Sequence, residues 1–149
     1  MKQVLISAFI CCTFYVAANS QANSQPSTGI LIVVVTGFHN NDGKATVELF
    51  NREDAFPKLT EKAVGVIHAK IENNKAIAEF ENLPKGEYAV SVYHDENNNN
   101  RLDTDFIGYP TEGYALSNGI RAVISRPRFI DAAFPVGGEE THVALRIKY

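Results

Sequence analysis

At 149 residues, 45% of them hydrophobic, the chain is long enough to bury one core and too short for two ordinary domains. Fourteen basic against 17 acidic residues give a formal charge of −3. The nearest basic cluster, Arg121, Arg126 and Arg128, is spread along a loop-like stretch, which excludes a nucleic-acid interface and argues against attraction to anionic lipid.

Met1-Lys2-Gln3 is a short basic opening, and Val4 to Ala18 is an apolar run too short for a comfortable membrane span. Together they read as a secretory signal, cut after Ser20 or Ala22. The expected division is 1–22 signal, 23–28 flexible lead-in and 29–149 one domain, secreted or periplasmic, with no membrane span in the mature chain. Cys11 and Cys12 both fall within the signal, so the mature protein has neither thiol nor disulfide. Ile10 stands where a lipid-anchored cysteine requires a small residue, which argues against a lipoprotein.

Ile30 to Val35 is a continuous β-branched and leucine run, expected as a strand buried on both faces. Asn40-Asn41-Asp42-Gly43 is a turn that should return the chain as a hairpin into Lys44–Asn51, expected as a half-buried strand in which Ala45, Val47 and Leu49 alternate with Thr46 and Glu48. Arg52–Lys62, with Pro57, reads as a loop with room for one helical turn. Val64–Ile71 and Lys75–Glu81, separated by Asn73-Asn74, read as a second hairpin. Pro84 and Gly86 set a turn into Tyr88–His94, a phrase that resembles the strand entry of prealbumin-like sandwich domains, including the carboxypeptidase regulatory domain.

Phe106 to Gly119 has no clear period. Its Phe106, Ile107, Tyr109, Tyr114 and Leu116 would each gain roughly 1.5–3 kcal/mol by full burial, so the segment is expected to pack on the scaffold. Arg128–Val136 and Thr141–Tyr149 are the closing strands. About seven strands without an amphipathic helix predict an all-β, antiparallel two-sheet β-sandwich, Ig-like or prealbumin-like.

The sharpest chemical signal lies between His94 and Asp105. Asp95, Asn97, Asn99 and Asp103 occupy places one, three, five and nine of a calcium-wrapping loop, and the Arg101 carbonyl would serve place seven. Place twelve is Phe106, which cannot ligate, so closure falls to Asp105 or the more distant Glu112. An Asn/Asp-rich turn whose side chains cap their own backbone explains the same residues without an ion.

The His94-Asp95-Glu96-Asn97 opening, the Leu102–Gly108 continuation, Pro110-Thr111-Glu112-Gly113-Tyr114 with Ser117-Asn118, and Pro127 with Phe129 and Ala133-Phe134 resemble a bacterial secreted family known as domain of unknown function 2141. The resemblance implies no activity.

Two functions are compatible with these residues. One is a secreted non-catalytic module that binds a protein or carbohydrate partner at the Asp95–Asn118 end, with calcium setting the loop and Tyr93, Tyr109 and Tyr114 offering a stacking face. The other is a small hydrolase pairing Asp95 or Asp103 with Glu112. Ser91 and Ser117 lack a nucleophile elbow. His39, His68, His94 and His142 lie on separate segments and are expected at strand ends or on the surface, with His94 set apart by its neighbour Asp95.

Overall fold

In the computed structural model, which describes residues 28–121, 126–138 and 140–149, the apolar run opens as β1 (Thr28–Thr36). The expected signal lies outside the described residues. After β1 come β2 (Lys44–Phe50), β3 (Gly65–Ala69), β4 (Lys75–Pro84), β5 (Gly86–Asp95), β6 (Tyr114–Leu116), the single helical turn α1 (Phe129–Ala132), β7 (Phe134–Val136) and β8 (Glu140–Arg146).

Two sheets face each other: β4-β1-β8, and β3-β2-β5-β6 with β7 paired to the start of β5. The all-β two-sheet sandwich is therefore observed. Every named pairing is antiparallel except β1 with β8, which run parallel from Ile30 opposite Glu140 to Thr36 opposite Arg146. Parallel neighbours need a long crossover, and here β8 reaches β1 from β7 in the opposite sheet.

Neither expected hairpin forms within one sheet. β1 pairs with β4 and β8 while β2 pairs with β3 and β5, so the Asn40–Gly43 turn carries the chain from one sheet to the other. The Asn73-Asn74 turn, with φ of 52° and 59°, does the same between β3 and β4. Left-handed Asn and Gly residues reverse the chain but do not choose its partner.

Between the sheets Leu31, Val33 and Val35 meet Val47, Leu49, Val90 and Val92, all fully buried. β1 is not buried on both faces as expected: Ile30, Ile32 and Val34 are only half-buried. β2 and β5 are the strands enclosed on both sides, so β2 is not half-buried as its alternation suggests: Thr46 and Glu48 on its outer face are buried too. The outer face of β2 and β5 is roofed by a second cluster of Phe50, Ala55, Phe56, Ala89, Leu116 and Ala132. The expected strand from Arg128 becomes α1 before β7, with Arg128 paired to Asp131 one helical turn on (Nε–Oδ2 2.7 Å). No helix among the described residues is long and apolar enough to cross a membrane.

Candidate functional site

β5 delivers Asp95 to the mouth of the loop, and its carboxylate is fully buried rather than exposed. Oδ1 accepts the N–H of Asn99 at 2.9 Å and Oδ2 that of Asn100 at 2.9 Å, with the Lys44 ammonium 3.4 Å from Oδ2. The Asn97 side-chain oxygen accepts the N–H of Asn99 and the Asn99 oxygen that of Arg101, at 3.1 and 3.0 Å. Asn98 and Asn100 take left-handed φ of 58° and 63°, which allows so tight a coil.

The Asn97 and Asn99 amides both reach Asp103, at 2.7 and 2.9 Å, and Arg101 Nε lies 3.2 Å from the same carboxylate. Hydrogen bonds from Asn99 and Asn97, with a further contribution from Arg101, hold the Asp103 carboxyl below its ordinary range. Asp105 stands apart, capping its own turn by accepting the N–H groups of Ile107 and Tyr109. Glu112, also buried, does reach the loop: Oε1 accepts the N–H of Glu96 at 3.0 Å and Oε2 that of Asp103 at 2.9 Å. Both oxygens of Asp95 and both of Glu112 thus support backbone amides.

Beside the loop, on the outer face of β2 and β5, lies a groove of about 660 Å³. Glu48, Ser91 and Tyr93 line it from the sheet, Ile107 and Tyr109 from the loop, and Tyr114 from the start of β6. Burial pushes the Glu48 carboxyl up, opposed by the Thr60 hydroxyl donating at 2.6 Å. Burial, chiefly, also raises the Tyr93 phenol to about 12.

The expectation that the Phe106–Gly119 segment packs throughout is corrected at its tip. Leu116 is buried and Tyr114 half-buried, but Phe106, Ile107 and Tyr109 are 98%, 75% and 64% exposed. The cause is the tight Asp105 turn and the Thr104–Pro110 bridge, which hold the tip away from the sheet.

A second constellation was not visible in the sequence. His94 is fully buried, with Nε2 2.8 Å from the Asp42 carbonyl and Nδ1 2.6 Å from the Tyr149 hydroxyl. His39, from the turn after β1, stacks on Tyr149 with ring centroids 3.9 Å apart and places Nε2 3.1 Å from Glu96 Oε1. Only the adjacency of His94 to the acidic loop hinted at this. Ser117 is buried as a bolt: its hydroxyl donates to the Ala132 carbonyl at 2.6 Å and accepts the Val90 N–H at 3.0 Å.

The family model described as "Uncharacterized protein conserved in bacteria (DUF2141)" matches residues 33–144. No curated protein matches the chain. Among solved structures, a pilus-presented adhesin is similar at 16% identity and a TM-score of 0.26, over 83% of this chain and 27% of the adhesin chain.

Proposed function

This chain belongs to the DUF2141 family of bacterial proteins, and on that premise we propose that it is an exported, non-catalytic β-sandwich module that binds a neutral carbohydrate in its tyrosine-lined groove, beside a loop that takes calcium. The observation that carries the reading is the convergence of Tyr109 and Tyr114, with the buried Tyr93 behind them, on one concavity that Thr60 and Ser91 also line. Aromatic faces stack on sugar rings, and hydroxyls and a carboxylate meet sugar hydroxyls. Export rests on the Met1–Ala22 leader pattern.

Calcium is supported by the coil itself. Asp95, Asn97, Asn99 and Asp103 keep the one-three-five-nine spacing, Asn100 is left-handed at place six where the loop turns sharply, and the Asn97 and Asn99 side chains both meet Asp103. The Asn97 and Asn99 amides would turn their oxygens toward the ion. Lys44 already neutralises Asp95, so entry of calcium displaces an ammonium and the affinity falls in the weak class of about 10⁻⁴–10⁻³ M. The alternative of a two-carboxylate hydrolase finds less support, because Asp95 and Glu112 are committed to backbone amides.

The test is calorimetric titration with a panel of soluble neutral oligosaccharides in millimolar calcium. At least one should bind, and Tyr109→Ala, at an exposed site, should weaken it roughly tenfold or more. A panel with no binder, or binding indifferent to Tyr109→Ala and Tyr114→Ala, contradicts the reading.

A further inference from the structure

At the end of the sandwich where the loop begins, His39, His94 and Glu96 bring one ligand atom each within 4.8 Å of one another. We infer that these three side chains, with the Tyr149 hydroxyl beside them, form a binding site for a divalent transition-metal ion of the zinc class. Imidazole and carboxylate donors in a set of three suit zinc and its first-row neighbours, whereas calcium and magnesium prefer all-oxygen shells.

What separates this grouping from a chance meeting of polar side chains is the support behind each donor. A metal-ligating histidine ordinarily gives its other ring N–H to a carbonyl or carboxylate, which fixes the tautomer and turns the free lone pair toward the ion. His94 is fully buried and has that arrangement: Nε2 faces the Asp42 carbonyl at 2.8 Å, leaving Nδ1 as the acceptor, 3.7 Å from Glu96 Oε1; Nδ1 now accepts the Tyr149 hydroxyl at 2.6 Å, a hydrogen bond that an arriving ion must displace. Glu96 is held in turn. Its Oε2 accepts from the Asn40 amide at 3.2 Å while Oε1 lies 3.1 Å from His39 Nε2. Tyr149 stacks on His39 and fixes that ring as well.

The site joins both sheets. His39 follows β1, His94 and Glu96 lie at the end of β5, and Tyr149 ends the segment after β8. An ion there staples β1 and the chain after β8 to the mouth of the acidic loop. His39 remains half exposed, which gives an ion a path from solvent. The donors are distinct from Asp95, Asn97, Asn99 and Asp103, so this site can be tested apart from the loop.

The experiment is titration of the untagged chain, carrying Cys11→Ser and Cys12→Ser so that no thiol competes, with Co²⁺ and Zn²⁺. The protein should take up one equivalent of Co²⁺ with the intense visible bands of a low-coordinate site, and Zn²⁺ should bleach them. Excess calcium should leave the bands in place. His39→Ala, at the exposed edge, and Glu96→Gln should each weaken Co²⁺ binding by more than about 100-fold while Asp103→Ala leaves it unchanged. Absence of the bands, or binding that survives both His39→Ala and Glu96→Gln, overturns the inference even if His94 variants fail to fold.

Discussion

Glu112 and Asp103 are joined by a 2.9 Å hydrogen bond from the Asp103 N–H to Glu112 Oε2, across nine residues of chain. The other Glu112 oxygen takes the N–H of Glu96, so one buried carboxylate ties the two ends of the Asn-rich loop together. Glu112→Ala leaves both amides without their acceptor and is expected to cost about 3 kcal/mol, read by urea unfolding. Glu112→Gln, which keeps one carbonyl oxygen, should cost less. Equal stability of Glu112→Ala and the parent would contradict the tie.

Glu48 is buried at the groove floor with its carboxyl raised above the ordinary value. A folded state that holds this proton more tightly than the unfolded chain loses stability as pH rises from the unfolded value of about 4.3 through the folded one. Glu48→Gln keeps an acceptor for Thr60 and removes the charge. The variant should gain on the order of 1 kcal/mol at neutral pH and show a flatter pH profile above the unfolded value. Denaturant melts across that range decide the matter, and an unchanged slope would count against a buried charge.

The Ser117 hydroxyl bonds both β5 and the helical turn α1. Ser117→Ala should destabilise by roughly 1–3 kcal/mol by leaving the Val90 N–H and the Ala132 carbonyl without that partner. Amide exchange at Val90 should speed up accordingly. No change in either quantity would remove Ser117 as a bolt.

Lys44 competes for the place a calcium ion would take beside Asp95. Lys44→Met should therefore cost the calcium-free protein about 2 kcal/mol, because a buried carboxylate loses its counter-charge. Calcium affinity should rise about tenfold, a change of about 1.4 kcal/mol. Weaker calcium binding in this variant would mean that the ammonium does not stand in for the ion.

Much of the scaffold is legible in the residues. The alternation of Val143, Leu145 and Ile147 marks one inward face, and the Pro84–Tyr88 turn leads into β5 as its residues require, whereas the alternation of Lys44–Phe50 hides that Thr46 and Glu48 are buried as well. Strand partners are not legible, because pairing is decided by contacts far apart in the chain: β1 meets β8 across 110 positions at Ile30 and Glu140. β1 misleads for a related reason, since an apolar run shows what burial is favourable and not whether anything covers the second face. The outward set of the tip at Phe106 follows from Asp105 capping its own turn, a local hydrogen bond that outweighs an apolar composition. His39 and His94 meet only because β1 and β5 end on the same side of the sandwich, so spacing alone could not unite them.

The most direct measurement is thermal unfolding of the protein in calcium, in magnesium and in chelator, alongside Asp103→Ala. At ten times its dissociation constant, calcium bound only by the folded state adds about 1.4 kcal/mol, roughly 3–6 °C in a chain of this size. The expected result is that rise in calcium alone, lost in Asp103→Ala. Coincident melts in calcium and chelator would contradict the calcium loop and leave the Asn-rich coil as a self-capped turn.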